Sequence, residues 1–224
     1  MREVVDGVFE LRLGYVNVHA VVTDDGVVLI DTGLPGRSPL IERGLVKIGR
    51  SLGEVTTILV THRHPDHIGS LAELRKRTGA RVFAHAAEAL WITGHVPPSE
   101  PVGFLQKLIA RAVGTVEPTK IDQLITADGF EPVPGFTALH TPGHTRGHVS
   151  YLLDRSGGIL FAGDAAGSNR GKVSAPPRPV TSDPARAGES LARLAELEFD
   201  HAVFGHGRAV SGLAVEAFRK AVAG

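Results

Sequence analysis

The chain predicts a four-layer αββα sandwich, two β-sheets packed face to face with helices on the outer faces. Three observations support this. β-type runs come in two sets, and helical patterns follow each set. The 224 residues, 42% of them hydrophobic, suffice for one substantial core, so residues 1–224 are expected to form one domain. The side chains best suited to chemistry stand where strands end, as they do when strand ends along one sheet edge build a site.

Taken in order, residues 8 to 31 read as a β meander. Val8 to Leu13 alternates, Val16 to Thr23 is β-rich, and Asp24-Asp25-Gly26 makes a hairpin turn. Val27 to Ile30 is apolar on both faces, which suits a central strand, and it ends at Asp31-Thr32-Gly33. Leu40, Ile41, Leu45, Ile48 and Leu52 have helical spacing, closed by Gly53. Thr57 to Val60 is a buried strand, followed by a polar cluster and a helix to about Arg77. Arg81 to His85 starts another strand, and Ala86 to Thr93 reads as helical.

Phe104, Leu105, Leu108, Ile109, Ala112 and Val113 make one apolar helix face inside the 95–118 segment. Three roles are open for that segment: a cap over the site, a subunit contact in a homodimer, or an ordinary core-packed helix. Strands return at Gln123 to Thr126, Phe136 to His140, Val149 to Leu153 and Ile159 to Ala162. A loop rich in Gly, Pro and Ser spans Ala165 to Asp183. A helix near Pro184 to Leu197, the strand His201 to Phe204 and a helix near Leu213 to Val222 complete the chain.

Lys plus Arg balances Asp plus Glu at 24 each, so no net field recruits a nucleic acid or an acidic membrane surface. With no cysteine, disulfides and thiolate metal sites are excluded. The first residues lack the apolar core of a signal peptide, and no apolar run is long enough to span a bilayer. The expectation is a cytoplasmic protein acting on a small molecule.

The most informative stretch is Thr61-His62-Arg63-His64-Pro65-Asp66-His67. Three imidazoles and a carboxylate fall within six residues, directly after a strand. His62 and His64 are two apart on an extended segment, so they point to the same side and can grip one ion. Asp66 and His67 lie where the helix begins and can reach a second point. This donor set suits zinc, and also iron or manganese. Three later residues have the same setting. His144 lies between two strands, Asp164 ends one within Gly163-Asp164, and His206 ends another within Gly205-His206-Gly207.

The pattern His62-x-His64-x-Asp66-His67, then His144, Asp164 and His206, resembles the metallo-β-lactamase superfamily over nearly the whole chain. By that resemblance His62, His64 and His144 would hold one divalent metal ion, most simply Zn2+. Asp66, His67 and His206 would hold a second, with Asp164 bridging. Two nearby cations repel, and a shared carboxylate with a bridging hydroxide screens them at the roughly 3.5–4 Å separation of two-metal hydrolases. Asp66 would also orient the nucleophile and pass a proton to the leaving atom. Asp31 and His148 are expected to support the ligands through hydrogen bonds. Asn169 and Arg170, in the loop after Asp164, are expected to touch substrate.

Branches of the superfamily differ at identifiable positions. True metallo-β-lactamases usually place Cys or Ser where this chain has Asp164, which argues against efficient β-lactam hydrolysis. Glyoxalase II has Asp there and a similar HTPGHTxGH segment, but adds a C-terminal helical domain; here 18 residues follow His206. Acyl-homoserine lactonases place a Tyr soon after the bridging Asp, where this chain has Ala165-Ala166-Gly167-Ser168; Tyr15 and Tyr151 lie elsewhere. The expectation is hydrolysis of a small ester-like bond, in a lactone, thioester or related acyl substrate. Alternatives are a phosphodiester or phosphotriester hydrolase and a mononuclear iron enzyme resembling persulfide dioxygenases.

Overall fold

The computed structural model describes residues 1–96 and 114–224. The apolar helix face read at 104–113 lies outside the described residues. Strands β1 (Arg2–Val5), β2 (Val8–Leu13), β3 (Val16–Thr23), β4 (Gly26–Ile30), β5 (Val55–Leu59), β6 (Arg81–His85) and β7 (Gln123–Ile125) form one sheet in sequence order. β1 to β4 pair antiparallel, and β4 to β7 pair parallel. Strands β8 (Phe136–His140), β9 (Val149–Leu153), β10 (Ile159–Phe161), β13 (His201–Val203) and β14 (Val210–Ser211) form a second sheet, ordered β14-β13-β10-β9-β8. A separate hairpin joins β11 (Gly167–Asn169) to β12 (Lys172–Ser174). The helices are α1 (Ser38–Lys47), α2 (Pro65–Ile68), α3 (Leu71–Thr78), α4 (Ala89–Ile92), α5 (Pro184–Leu194) and α6 (Ala214–Ala223).

Strand periodicity accounts for the layers, because successive side chains point to opposite faces. Val28, Ile30, Leu59 and Phe83 of the first sheet meet Phe136, Tyr151, Phe161 and Val203 of the second in one buried cluster. Their neighbours Val27, Leu29, Ile58 and Val82 face outward and are covered by Ile41, Leu45, Leu71 and Leu74 of α1 and α3. On the far side Leu160, Ala202 and Phe204 pack under Leu191, Leu194, Val215 and Phe218 of α5 and α6. The order is helix, sheet, sheet, helix. Burying a side chain of this size contributes about 1.5–3 kcal/mol, so the three clusters together are the main source of cohesion.

The structure differs from the sequence expectation in four places. The helical spacing read through Leu52 and closed by Gly53 ends at Lys47, and Leu52–Glu54 is a separate 3₁₀ turn. The helix expected from the polar cluster to about Arg77 is two helices, broken at Gly69-Ser70. A Cβ at Gly69 would collide with Pro35, and Ser70 Oγ donates to Leu34 O at 2.7 Å. The Gln123 run, grouped by sequence with the later strands, pairs instead with β6 as the edge of the first sheet. Nothing in an isolated three-residue strand signals which sheet it joins. The Ala165 to Asp183 stretch is also not a plain loop, since it contains β11 and β12.

At the edge where β4, β5, β10 and β13 end, hydrogen bonds stitch the sheets together. Tyr151 Oη donates to Val60 O at 2.7 Å, and Val149 N to Thr61 O at 2.9 Å. Asn17 Nδ2 donates to Phe204 O at 3.0 Å and Gly207 O at 2.9 Å. That edge carries the chemistry.

Candidate metal centre

All seven predicted donors converge there. His62 Nε2 and His144 Nε2 lie 3.1 and 2.9 Å from His64 Nδ1. On the other side, His206 Nε2 lies 3.4 Å from His67 Nε2 and 3.5 Å from Asp66 Oδ2. Asp164 stands between the two, with contacts of 3.3 Å to His144, 3.5 Å to His67 and 3.2 Å to His206. Three sets of donors, His62/His64/His144, His62/His67/Asp164 and Asp66/His67/His206, each lie within 4.8 Å of one another and could hold a metal ion.

The surroundings determine which ring nitrogens face inward. A carbonyl only accepts, so His206 Nδ1 donates to Tyr15 O at 2.9 Å and its Nε2 presents a lone pair to the cluster. His67 Nδ1 donates to Asp31 Oδ2 at 2.7 Å, with the same result. Thr61 Oγ1 gives its proton to Asp31 Oδ2 at 2.7 Å and therefore accepts from His62 Nδ1 at 3.0 Å. These outward contacts are the usual support of metal-ligating histidines. His144 Nδ1 is buried without such a partner among the described residues. A Cβ on Gly205 would stand 2.6 Å from His67 Cε1 and also strike Asp164 Oδ1, so glycine is needed for the close approach.

His148 is not itself a donor to the cluster, because both its nitrogens are engaged. Its Nε2 accepts from Asp164 N at 2.9 Å, so its Nδ1 donates to Thr141 Oγ1 at 2.9 Å. The chain continues from Thr141 to Ser150 Oγ and ends on Ala162 O. Asp31 accepts from Thr61 N at 2.8 Å as well as from His67 and Thr61 Oγ1, and adopts φ 61, a left-handed turn that Asp tolerates.

The electrostatics favour a cation. Burial pushes His62 and His148 well below the usual imidazole value, and His144 down to about 4. Burial acts the same way on His67, but Asp164, Asp31 and Asp66 outweigh it and push His67 up to about 10. Burial would raise Asp164, yet His67 and His206 hold it far below the usual carboxylate range. His62 and His144, held neutral, stand beside the ionised Asp164, whose Oδ1 has no hydrogen-bond partner among the described residues, and the proton on His67 is one that an incoming cation would displace. The donor set therefore fits divalent metal ions.

A cavity of about 560 Å³ opens onto these groups, lined by Tyr15, His64, Pro65, Asp66, His144, Asp164, Pro177, Val180 and His206. Asn169 and Arg170 are not in that lining. Arg170 (φ 52) and Gly171 form the two-residue turn of the β11–β12 hairpin and point it to a groove beside Leu213, Glu216 and Lys220 of the C-terminal region. The loop's contribution to the cavity comes from Pro177 and Val180 instead.

Sequence reading passed over two contributors. Tyr15, in the β2–β3 turn, stacks on His206 with ring centroids 5.6 Å apart and planes 7° apart. Burial, then the charges of Asp66 and Asp164, raise its pKa, so the phenol is neutral at ordinary pH. Buried Glu88 accepts from Arg63 N and Nη1 at 3.2 and 3.1 Å and from Gly147 N at 2.6 Å, tying together the loops that carry His64 and His144. An aromatic after a turn glycine was the available signal for Tyr15; Glu88 left none. His85 and His140 stack on each other at 4.3 Å in a different cavity, with Arg146 and Arg186.

Residues 11–206 match the sequence profile of the metallo-beta-lactamase superfamily. The probable metallo-hydrolase YflN of Bacillus subtilis (strain 168) is 29% identical over 94% of this chain and 87% of its own length. A hydroxyacylglutathione hydrolase of Albidiferax ferrireducens is 34% identical over 65% of this chain, and the match spans 43% of that enzyme. Among solved structures, the Rm3 metallo-beta-lactamase superposes with a TM-score of 0.72 at 25% identity, covering 96% of this chain and 88% of that one. Profile, relatives and layered architecture agree with the converging donors: the chain belongs to the metallo-beta-lactamase superfamily.

Proposed function

We propose that the protein hydrolyses a small ester-like bond, in a lactone, thioester or related acyl substrate, with two divalent metal ions, most simply zinc, with iron or manganese as the alternatives. The observation that carries this reading is Asp164, whose carboxylate contacts His144 on one side and His67 and His206 on the other. His62, His64 and His144 would hold one ion, and Asp66, His67 and His206 the other. Ions held by these residues would supply Lewis-acid chemistry, activating water near neutral pH and polarising a carbonyl. Asp66, partly exposed and lining the cavity, orients the nucleophile and passes a proton to the leaving atom. Asp31, Thr61 and the Tyr15 carbonyl keep three imidazoles in the binding tautomer. Pro177 and Val180 give the acyl group an apolar wall.

The similarity to a hydroxyacylglutathione hydrolase, an enzyme named for a thioester, supports the acyl reading. The test is an elemental metal count on purified protein, followed by turnover assays on lactones, thioesters, phosphoesters and β-lactams. Two metal ions per chain and preferred cleavage of lactones or thioesters are expected. A single iron with oxygen consumption, or preferred cleavage of phosphoesters, overturns the proposal.

A further inference from the structure

Tyr15 stands apart from the rest of the cavity lining. Its main chain and its side chain do different jobs. The carbonyl accepts the His206 Nδ1 proton at 2.9 Å, which any residue at this position would do. The ring lies parallel to the His206 imidazole at 5.6 Å and forms one wall of the cavity. It is also 57% exposed, so the ring is open to an incoming molecule.

The chemistry of the lining sharpens this. His64, His144 and His206 direct ring nitrogens at the donor cluster, and Asp66 and Asp164 are acceptors. Pro65, Pro177 and Val180 have no side-chain donor. Among the described side chains lining the cavity, the Tyr15 phenol is the hydrogen-bond donor that belongs to none of the candidate metal ligands. An acyl group entering this cavity brings oxygen acceptors and an apolar chain. A phenol on an open ring meets both, because its face is apolar and its tip polar.

We propose that Tyr15 is a substrate-contacting residue, its ring packing on the acyl chain and its hydroxyl donating to an oxygen of the acyl group. This deepens the hydrolase reading and rests on it for the identity of the substrate. Contact with an acyl oxygen can be tested separately from turnover.

Metal-loaded wild type, Tyr15→Phe and Tyr15→Ala are compared in three measurements: metal content, kcat and KM on the best substrate of the panel, and calorimetric titration with hexanoate as a carboxylate probe. Metal content stays unchanged, because the carbonyl of residue 15 remains. Loss of one neutral hydrogen bond makes Tyr15→Phe about three- to tenfold weaker in hexanoate affinity and in kcat/KM. Tyr15→Ala adds a rise in KM through loss of the ring. Variants that match wild type in hexanoate affinity and kcat/KM overturn the proposal. So does hexanoate that binds none of the three proteins, or a loss of activity that only tracks a loss of metal. If wild type cleaves no acyl substrate but the variants still lose hexanoate affinity, the hydrolase reading falls and the contact stands.

Discussion

Asp31 Oδ2 receives the Nδ1 proton of His67 at 2.7 Å, across 36 positions of sequence. The same carboxylate accepts from Thr61 N and Thr61 Oγ1, and Thr61 in turn accepts from His62. One buried acid at the end of β4 therefore sets the tautomer of one donor just after β5 and of another in α2.

Replacing Asp31 with Asn puts an amide into this network. If the amide nitrogen faces His67, the imidazole must turn its lone pair outward and its N–H towards the cluster. Metal affinity or activity should fall about 10–100-fold, as for other residues that support ligands from behind. Metal titration and kcat/KM of Asp31→Asn check this; wild-type values in both would remove the assigned role.

His64→Ala and Asp164→Ala should lose essentially all turnover while keeping the fold, since neither side chain belongs to an apolar cluster. Circular dichroism and the panel assay decide. Turnover retained by either variant would contradict the donor assignment.

The raised pKa of His67, about 10, gives metal uptake a sign in pH. In the metal-free protein His67 holds a proton at neutral pH, and an ion binding there must displace it. Affinity should therefore rise with pH, about tenfold per unit between roughly pH 6 and 8, with release of about one proton. Competition with a chromophoric chelator across that range measures the slope. A flat profile would show that His67 carries no proton to displace.

Adding one methyl group at Gly205 should disable the centre without unfolding the protein. The new Cβ meets Asp164 Oδ1 and His67 Cε1. Metal content of Gly205→Ala should drop sharply while its chemical denaturation midpoint moves little.

Asp122 offers a test remote from the centre. Its carboxylate accepts from Arg75 Nε at 3.2 Å, Arg75 Nη2 at 2.9 Å and Val82 N at 3.0 Å, and Arg75 chiefly holds its pKa down at about 2 from 3.8. A depressed carboxylate contributes stability that is present above its unfolded value and lost as pH falls through the folded one. Asp122→Asn should cost about 1 kcal/mol at neutral pH, with solvent screening part of the pair. It should also flatten the loss of stability between about pH 4 and 2. Urea denaturation at several pH values checks both.

What the sequence made legible follows from periodicity. Val27 to Ile30 and Ile159 to Phe161 declare themselves as buried strands, and the residues just beyond them, Asp31 and Asp164, inherit places at one edge. The HxHxDH spacing carries its own geometry. Tyr15 and Glu88 escaped because their roles depend on which distant segments fold beside them, 191 residues away for Tyr15 and His206. Asn169 and Arg170, expected to touch substrate, do not line the cavity at the donors, for a related reason. Turn chemistry at Arg170-Gly171 makes a hairpin, and its direction is set by packing rather than by proximity to Asp164.

Each of the three donor sets draws on both sheets: His62, His64, Asp66 and His67 follow β5, whereas His144, Asp164 and His206 belong to the loops of β8 to β13. Neither half of the polypeptide can offer a full cage alone. An ion held by any of these sets would bridge the two layers, so its capture would depend on the sandwich having closed correctly.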